Sequence, residues 1–469
     1  MQTTVRIRNV IACLVVLAII VVACVWVIAE VFGSRGGDPA FEQDGAIGAA
    51  DTALIKHGAY LATLGDCAAC HTAKNGKPFA GGLAIATPIG NVYTTNITPD
   101  PATGIGSYTL NDFERALRSG IRRDGDPMYP AMPYPSYAHV SNDDVRALYA
   151  YFMHGVEPVN APDRAPDIPW PMSMRWPLTY WRWVFAPKVQ PPVAAIAGTV
   201  DVADATPAVP AGDAAMLERG RYLVEGLAHC GSCHTPRGVG MQEKALGDAD
   251  GPDYLAGGLI DHHVANDLRG GDLTGLGRWS EADIVEFLRT GRNAQTAAFG
   301  GMRDVVEHST QHMSDTDLLA IATYLKSLPD NQSDEHYRYA AAAGDALAKG
   351  DVSSRGAIDY LNSCAACHLS SGKGYRDTFP ALAGNPVVNA RDPTSLINIV
   401  LNGSAEVGTN RVPTQFTMPP FGDRLTDSDV ADVVTFIRSS WGNQAGPVDA
   451  SEVAKIRSQT KAAAVSRPQ

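Results

Sequence analysis

The pattern Cys-x-x-Cys-His occurs three times along the chain, as CAACH at residues 67–71, CGSCH at 230–234 and CAACH at 364–368. Whatever this chain folds into must repeat one local arrangement of two thiols and an imidazole. Six of the eight cysteines are taken up in this way. A recurrence of that kind points to tandem copies of one small unit. The length of 469 residues agrees, being too long for one core and suited to about three domains.

The flanks of the motif repeat as well. After the first copy comes GIGSYTLNDFERALRSG (residues 104–120), and after the second comes GLGRWSEADIVEFLRTG (residues 275–291). The two align without a gap. Each opens its helical part at a capping residue, Thr109 or Ser280, and ends at a glycine suited to a C-cap. Phe113, Leu117 and Ile121 mark one buried stripe. A further helix closes each unit: VRALYAYFMHG, LLAIATYLKSL and VADVVTFIRSSW, led by SNDD at Ser141, SDTD at Ser314 and TDSD at Thr426. The leading Ser or Thr caps the helix, and the acids sit in its first turn, where the dipole favours them. Another helix precedes each cysteine pair, in LIKHGAYLATLG, MLERGRYLVEGL and SSRGAIDYLNS. Strand-like alternation is scarce, so the expected fold class is all-α.

Three chemistries compete for Cys-x-x-Cys-His. A structural zinc needs four ligands, and each unit offers two cysteines and one histidine with no second pair. A thioredoxin-type redox pair needs a βαβ context, which the sequence lacks. A plain disulfide does not require an adjacent histidine three times. Covalent haem accounts for every part: the thiols add across two vinyl groups, and the next residue places an imidazole beneath the iron. The cofactor-binding residues are then Cys67, Cys70, Cys230, Cys233, Cys364 and Cys367. The proximal iron ligands are His71, His234 and His368.

A methionine opposite histidine suits an electron-transfer haem. After His368 the chain offers Met418 alone, in TMPPFGDRL just before the last helix. The first unit offers Met128, Met132 and Met153. Met153 belongs to the closing helix. Met132 is followed by proline, as Met418 is, and is chosen, with Met128 the rival. The second unit offers Met241, Met302 and Met313. Laying HMSDTD on HVSNDD aligns Met313 with Val140, a packing position, so Met302 is chosen. The distal set is Met132, Met302 and Met418. The remaining histidines, among them His57, His229, His263 and His312, read as surface or core residues. No Ser/His/Asp set, paired carboxylates or phosphate-binding glycine loop stands out, so no catalytic residue is assigned.

Residues 10–29, VIACLVVLAIIVVACVWVIA, contain no polar side chain and match the roughly 20 residues that span a bilayer. Arg6 and Arg8 precede them, and Asp38, Glu42 and Asp44 follow, which places the N-terminus in the cytoplasm and the rest outside. A retained anchor fits this length better than a cleaved signal peptide, and lipidation at Cys24 ranks last; all three export the remainder. Cys13 and Cys24 are then apolar filler on the membrane helix. The expected location is the inner membrane, with the haem domains in the periplasm. Net charge is −12 and no basic run occurs, which argues against a nucleic-acid partner.

These readings divide the chain into an N-terminal anchor (1–33), three cytochrome c domains (45–160, 211–330 and 348–445), an aromatic and Ala/Pro-rich linker (161–210), a second linker (331–347) and a loose C-terminal tail (446–469). The first linker holds WPMSMRWPLTYWRWVF (residues 170–185), with four of the seven tryptophans, followed by an Ala/Pro/Val-rich stretch expected to be extended.

TNITPD (95–100), YPAMPYPSYA (129–138), WPMSMRWPL (170–178), HCGSCHTPRG, YLAGGLI, FGGMRDVVEHSTQHMSD and LAGNPVV (382–388) resemble the three-haem cytochrome c subunit of membrane-bound periplasmic dehydrogenases. These oxidise alcohols, gluconate, fructose or aldehydes in acetic acid bacteria and their relatives. The resemblance implies three tandem cytochrome c domains after a transmembrane helix and three covalently bound haems c. It also implies a separate catalytic subunit carrying pyrroloquinoline quinone, flavin, or molybdenum with iron–sulfur clusters, and ubiquinone in the membrane lipid as acceptor. The anchor and short tail depart from the alcohol dehydrogenase pattern, which leaves flavin and molybdenum partners as open as the quinone cofactor. The rival class is a stand-alone catalytic multihaem cytochrome of peroxidase or nitrite-reductase type. It would need an open iron position, which a methionine for every haem argues against.

Overall fold

The computed structural model describes residues 2–33, 39–41, 51–189, 212–330 and 336–466. The chain forms two compact units, residues 1–59 with 70–194 and residues 60–69 with 195–469. Asp38, Glu42 and Asp44, and the Ala/Pro/Val-rich stretch at 190–211, lie outside the described residues.

The first unit begins with the helix Gln2–Gly33. Its segment Ile11–Gly33, 23 residues, is long and apolar enough to cross a membrane. At 1.5 Å per residue it spans about 35 Å, slightly more than the roughly 30 Å of a hydrocarbon core.

One helical scaffold then recurs three times. A leading helix occupies Thr52–Leu64, Asp213–Arg221 and Arg355–Ser363. A middle helix occupies Leu110–Ser119, Glu281–Thr290 and Thr394–Asn402. A closing helix occupies Asn142–His154, Asp315–Ser327 and Asp427–Ser439. The expected caps are present. Thr109, Ser280 and Thr426 form capping boxes with Asp112, Asp283 and Asp429, and Ser141 and Ser314 accept from the amides of Asp144 and Asp317. Gly120 and Gly291 end their helices in the left-handed region at φ 63° and 76°, where a side chain would be strained.

The leading and closing helices cross backbone to backbone. Gly58 lies against the carbonyl of Ala147, Gly220 against that of Ala320 and Gly356 against that of Asp432. In each case a Cβ would overlap the carbonyl oxygen and press on the side chain one turn further along: Tyr151, Tyr324 or Phe436. Only glycine permits that approach. The residue before each glycine is basic and pairs across the crossing with the acid in the first turn of the closing helix. His57 Nε2 meets Asp144 at 2.9 Å, Arg219 meets Asp317 at 2.8 Å and Arg355 meets Asp429 at 3.2 Å. In the second repeat one more residue separates the glycine from the first cysteine than in the first, and the π-helical segment Tyr222–Leu227 takes up the extra length.

The scaffold is helical, but the structure departs from an all-α fold in its loops. Among the described residues three short antiparallel hairpins occur: Ala84–Thr87 with Gly90–Tyr93, Gly258–Ile260 with His263–Ala265, and Ser404–Ala405 with Thr417–Met418. Long loops must satisfy their backbone polar groups, and two- to four-residue ladders do so locally. Such ladders are too short to show periodicity in sequence.

Two further segments differ from expectation. The tail is not loose: Ala450–Ser466 is a helix whose Val453 and Ile456 are buried in the third repeat's core, with Arg457 on Asp427 at 2.7 Å. Each linker also contains a helix, Trp176–Phe185 in the first and Ala342–Lys349 at the end of the second. Leu347 of the latter joins the core that holds Tyr360, Val434 and Trp441.

Candidate metal centres

Each Cys-x-x-Cys-His forms a single helical turn, at Cys67–His71, Gly231–His234 and Ala365–His368. In helical geometry positions i, i+3 and i+4 share one face, so both thiols and the imidazole project from the same side. The amides of His234 and His368 donate to the carbonyls of Cys230 and Cys364, both at 3.0 Å, which closes that turn. None of the six motif cysteines is paired in a disulfide. Burial pushes the Cys230 and Cys364 thiols up to about 12, so they sit as neutral groups in apolar surroundings.

The imidazoles are oriented in one way three times over. His71 Nδ1 donates to the Thr95 carbonyl at 2.7 Å, His234 Nδ1 to the Asn266 carbonyl at 2.7 Å and His368 Nδ1 to the Pro380 carbonyl at 2.9 Å. A carbonyl only accepts, so Nδ1 carries the proton and Nε2 keeps its lone pair. Burial holds all three imidazoles below their ordinary range, against the opposing effect of these carbonyl bonds. Each is therefore a neutral imidazole whose Nε2 is fixed in direction. Among the described residues no group of three or more His, Cys, Asp or Glu side chains could hold a bare metal ion. The donor set fits covalent haem: two thiols for the porphyrin and one imidazole for its iron.

The three chosen methionines occupy one topological position. Met132, Met302 and Met418 are half-buried and lie between the middle and closing helices of their repeats. Met302 opens the helix Met302–His308 and packs against the cluster of Ala298, Val306 and Val407. Met418 pairs with Ser404 in the last hairpin and packs against the third core. Met313 is buried at 5% exposure, as a packing residue should be, and Met241 is exposed. Met128, the rival in the first repeat, is half-buried, and its amide donates to Gly120 at 2.8 Å.

Sequence reasoning missed the carbonyls of Thr95, Asn266 and Pro380, because a backbone acceptor carries no residue signature. It also missed the crossing glycines and their basic neighbours, although aligning KHGAY, ERGRY and SRGAI upstream of each motif reveals both. His57, read as an ordinary histidine, is the first repeat's version of that crossing pair.

Comparison with known proteins agrees with this geometry. A cytochrome c family profile matches residues 217–329 and 353–441. The gluconate 2-dehydrogenase cytochrome c subunit of Pantoea cypripedii is 55% identical over 413 residues, covering 87% of this chain and 90% of that protein. The cytochrome c subunit of the alcohol dehydrogenase (quinone) of Gluconobacter oxydans (strain 621H) is 53% identical over 411 residues, covering 87% and 83%. The fructose dehydrogenase cytochrome subunit of Gluconobacter japonicus is 38% identical over 428 residues, also covering 87% and 83%. With three motif turns of one geometry and relatives matched over most of their length, this chain belongs to the family of dehydrogenase cytochrome c subunits.

Proposed function

We propose that the chain is the electron-transfer subunit of a quinone-dependent dehydrogenase, built as three tandem cytochrome c domains behind a membrane anchor. It takes electrons from a separate catalytic subunit that oxidises an alcohol, a sugar acid or an aldehyde, and delivers them to ubiquinone. The observation that carries this reading is the Nδ1–carbonyl bond at His71, His234 and His368, each in one helical turn with a pair of cysteines. When bound, a haem c supplies a one-electron couple at its iron. Cys67, Cys70, Cys230, Cys233, Cys364 and Cys367 would hold the three groups covalently. His71, His234 and His368 would hold the iron through Nε2, together with the thioethers of Met132, Met302 and Met418.

The proposed domains are 45–160, 211–330 and 348–445, joined by linkers at 161–210 and 331–347. Gln2–Gly33 anchors the chain in the inner membrane, within residues 1–33, and the haem domains face the periplasm. The apolar composition of Ile11–Gly33 and the acceptor's membrane solubility support that placement. The partner's cofactor is pyrroloquinoline quinone, flavin or molybdenum with iron–sulfur clusters.

Changing Cys67, Cys230 or Cys364 to serine, one at a time, tests the assignment through haem-stained peptides. Each change removes one haem of three. Three haems retained in any of these variants overturns the assignment at that site.

A further inference from the structure

The aromatic helix Trp176–Phe185 packs on the last turns of the N-terminal helix, inside the first unit. Tyr180 Oη donates to the Val25 carbonyl at 2.8 Å, and Arg182 donates to the Gly33 carbonyl at 3.1 Å. Thr179 covers Gly33 closely. Arg182 is buried at 8% exposure and satisfies a carbonyl that the end of a helix otherwise leaves without a partner, where a cation also suits the dipole. Arg175 turns inward too, bonding the Pro127 carbonyl at 3.1 Å and lying over the Tyr129 ring at 4.9 Å. These are the two charged residues between Ile168 and Pro187. With both committed to the protein, the outward face is left to Trp170, Met172, Trp183 and Val184, exposed at 79%, 48%, 44% and 70%.

The N-terminal helix is itself exposed from Ile11 to Cys24 and buries Ala29 and Gly33 at the end where Trp176–Phe185 packs. From Val25 to Gly33 the rise is about 12 Å, comparable to the depth of a headgroup layer. A tryptophan-rich face free of charge at the end of a membrane span matches the interfacial aromatic belt. The inner side of the same helix holds Trp181 against Tyr134, ring centroids 6.1 Å apart, two residues after the proposed ligand Met132.

We infer that Trp176–Phe185, with the preceding Trp170 and Met172, is a second membrane element, lying along the headgroup–acyl boundary of the outer leaflet. It thereby holds the Met132–Tyr134 loop at the bilayer surface. This rests on Gln2–Gly33 being a retained membrane span, and the test separates the two. The complete complex is reconstituted in phosphatidylcholine/phosphatidylglycerol vesicles doped with a phosphatidylcholine that carries an acyl-chain diazirine. After illumination, tryptic peptides are analysed by mass spectrometry. Residues 165–175 and 183–188 should be labelled about tenfold above peptides from residues 212–330, alongside label in residues 11–33. Label in residues 11–33 without label in the aromatic peptides overturns the inference and leaves the anchor intact. No label in either overturns both. Label in the aromatic peptides of the isolated chain that disappears in the complex assigns the face to the catalytic partner and overturns the inference.

Discussion

Replacing Gly220 with alanine tests the helix crossing on which each repeat rests. The added methyl meets the carbonyl oxygen of Ala320 and the Cβ of Tyr324. Both are fixed by backbone, so no rotamer change relieves the overlap and the helices must separate. Overpacking of this kind costs typically about 1–3 kcal/mol, and a clash with backbone belongs at the upper end. Alanine returns about 0.5–1 kcal/mol through better helix propensity. The net loss is about 2 kcal/mol, and for a repeat near 100 residues each kcal/mol shifts the midpoint by at least about 4 °C. The lowest-melting transition of the purified full-length chain, followed by circular dichroism and haem absorbance, should therefore fall by about 8 °C or more. Gly446→Ala is the control: nothing lies within 4 Å of its missing Cβ, so its melt should match the parent's. A Gly220→Ala chain that melts with or above the parent refutes the close crossing.

Three further outcomes are expected. Arg219→Ala should cost about 3–5 kcal/mol in a denaturant melt, because Arg219 and Asp317 are 6% and 1% exposed and the carboxylate is left buried without its cation. Arg355→Ala removes the equivalent partner, but Arg355 is 60% exposed, so its melt should barely move. Met418→Leu should leave the third haem attached while abolishing its thioether-to-iron charge-transfer band and lowering its potential; an unchanged spectrum means that a nitrogen holds the sixth position. Removing residues 447–469 should destabilise the third repeat by several kcal/mol, since Val448, Val453 and Ile456 are each at most 6% exposed and full burial of such a side chain contributes roughly 1.5–3 kcal/mol. An unchanged melt would return that segment to the status of a tail.

The motif turns were legible in the sequence because they depend on local spacing. Two cysteines and a histidine within one helical turn project together whatever surrounds them, and the caps at Thr109, Ser280 and Thr426 act within three residues. The apolar run at residues 10–29 needed no partner to be recognised as a long exposed helix. The hairpins were not legible, because ladders as short as Ser404–Ala405 with Thr417–Met418 answer to loop closure and not to a periodic pattern. The terminal helix was also missed: much of Ala450–Ser466 is polar or alanine, and its order comes from placing Val453 and Ile456 in a core assembled by distant residues.

The sequence by itself determined what each repeat carries, two thiols, one imidazole and a methionine further along, because these are matters of residue type and spacing. Only the tertiary structure decided how those groups are held. Which nitrogen of His71, His234 and His368 faces outward depends on carbonyls that the chain brings back from Thr95, Asn266 and Pro380. The same holds for the aromatic segment, whose composition marks it only as a linker rich in tryptophan. Folding turns Arg175 and Arg182 onto the backbone of Pro127 and Gly33, and Trp170 and Trp183 are left facing outward. A side chain's type is local information, but its direction is fixed by neighbours far away in the chain.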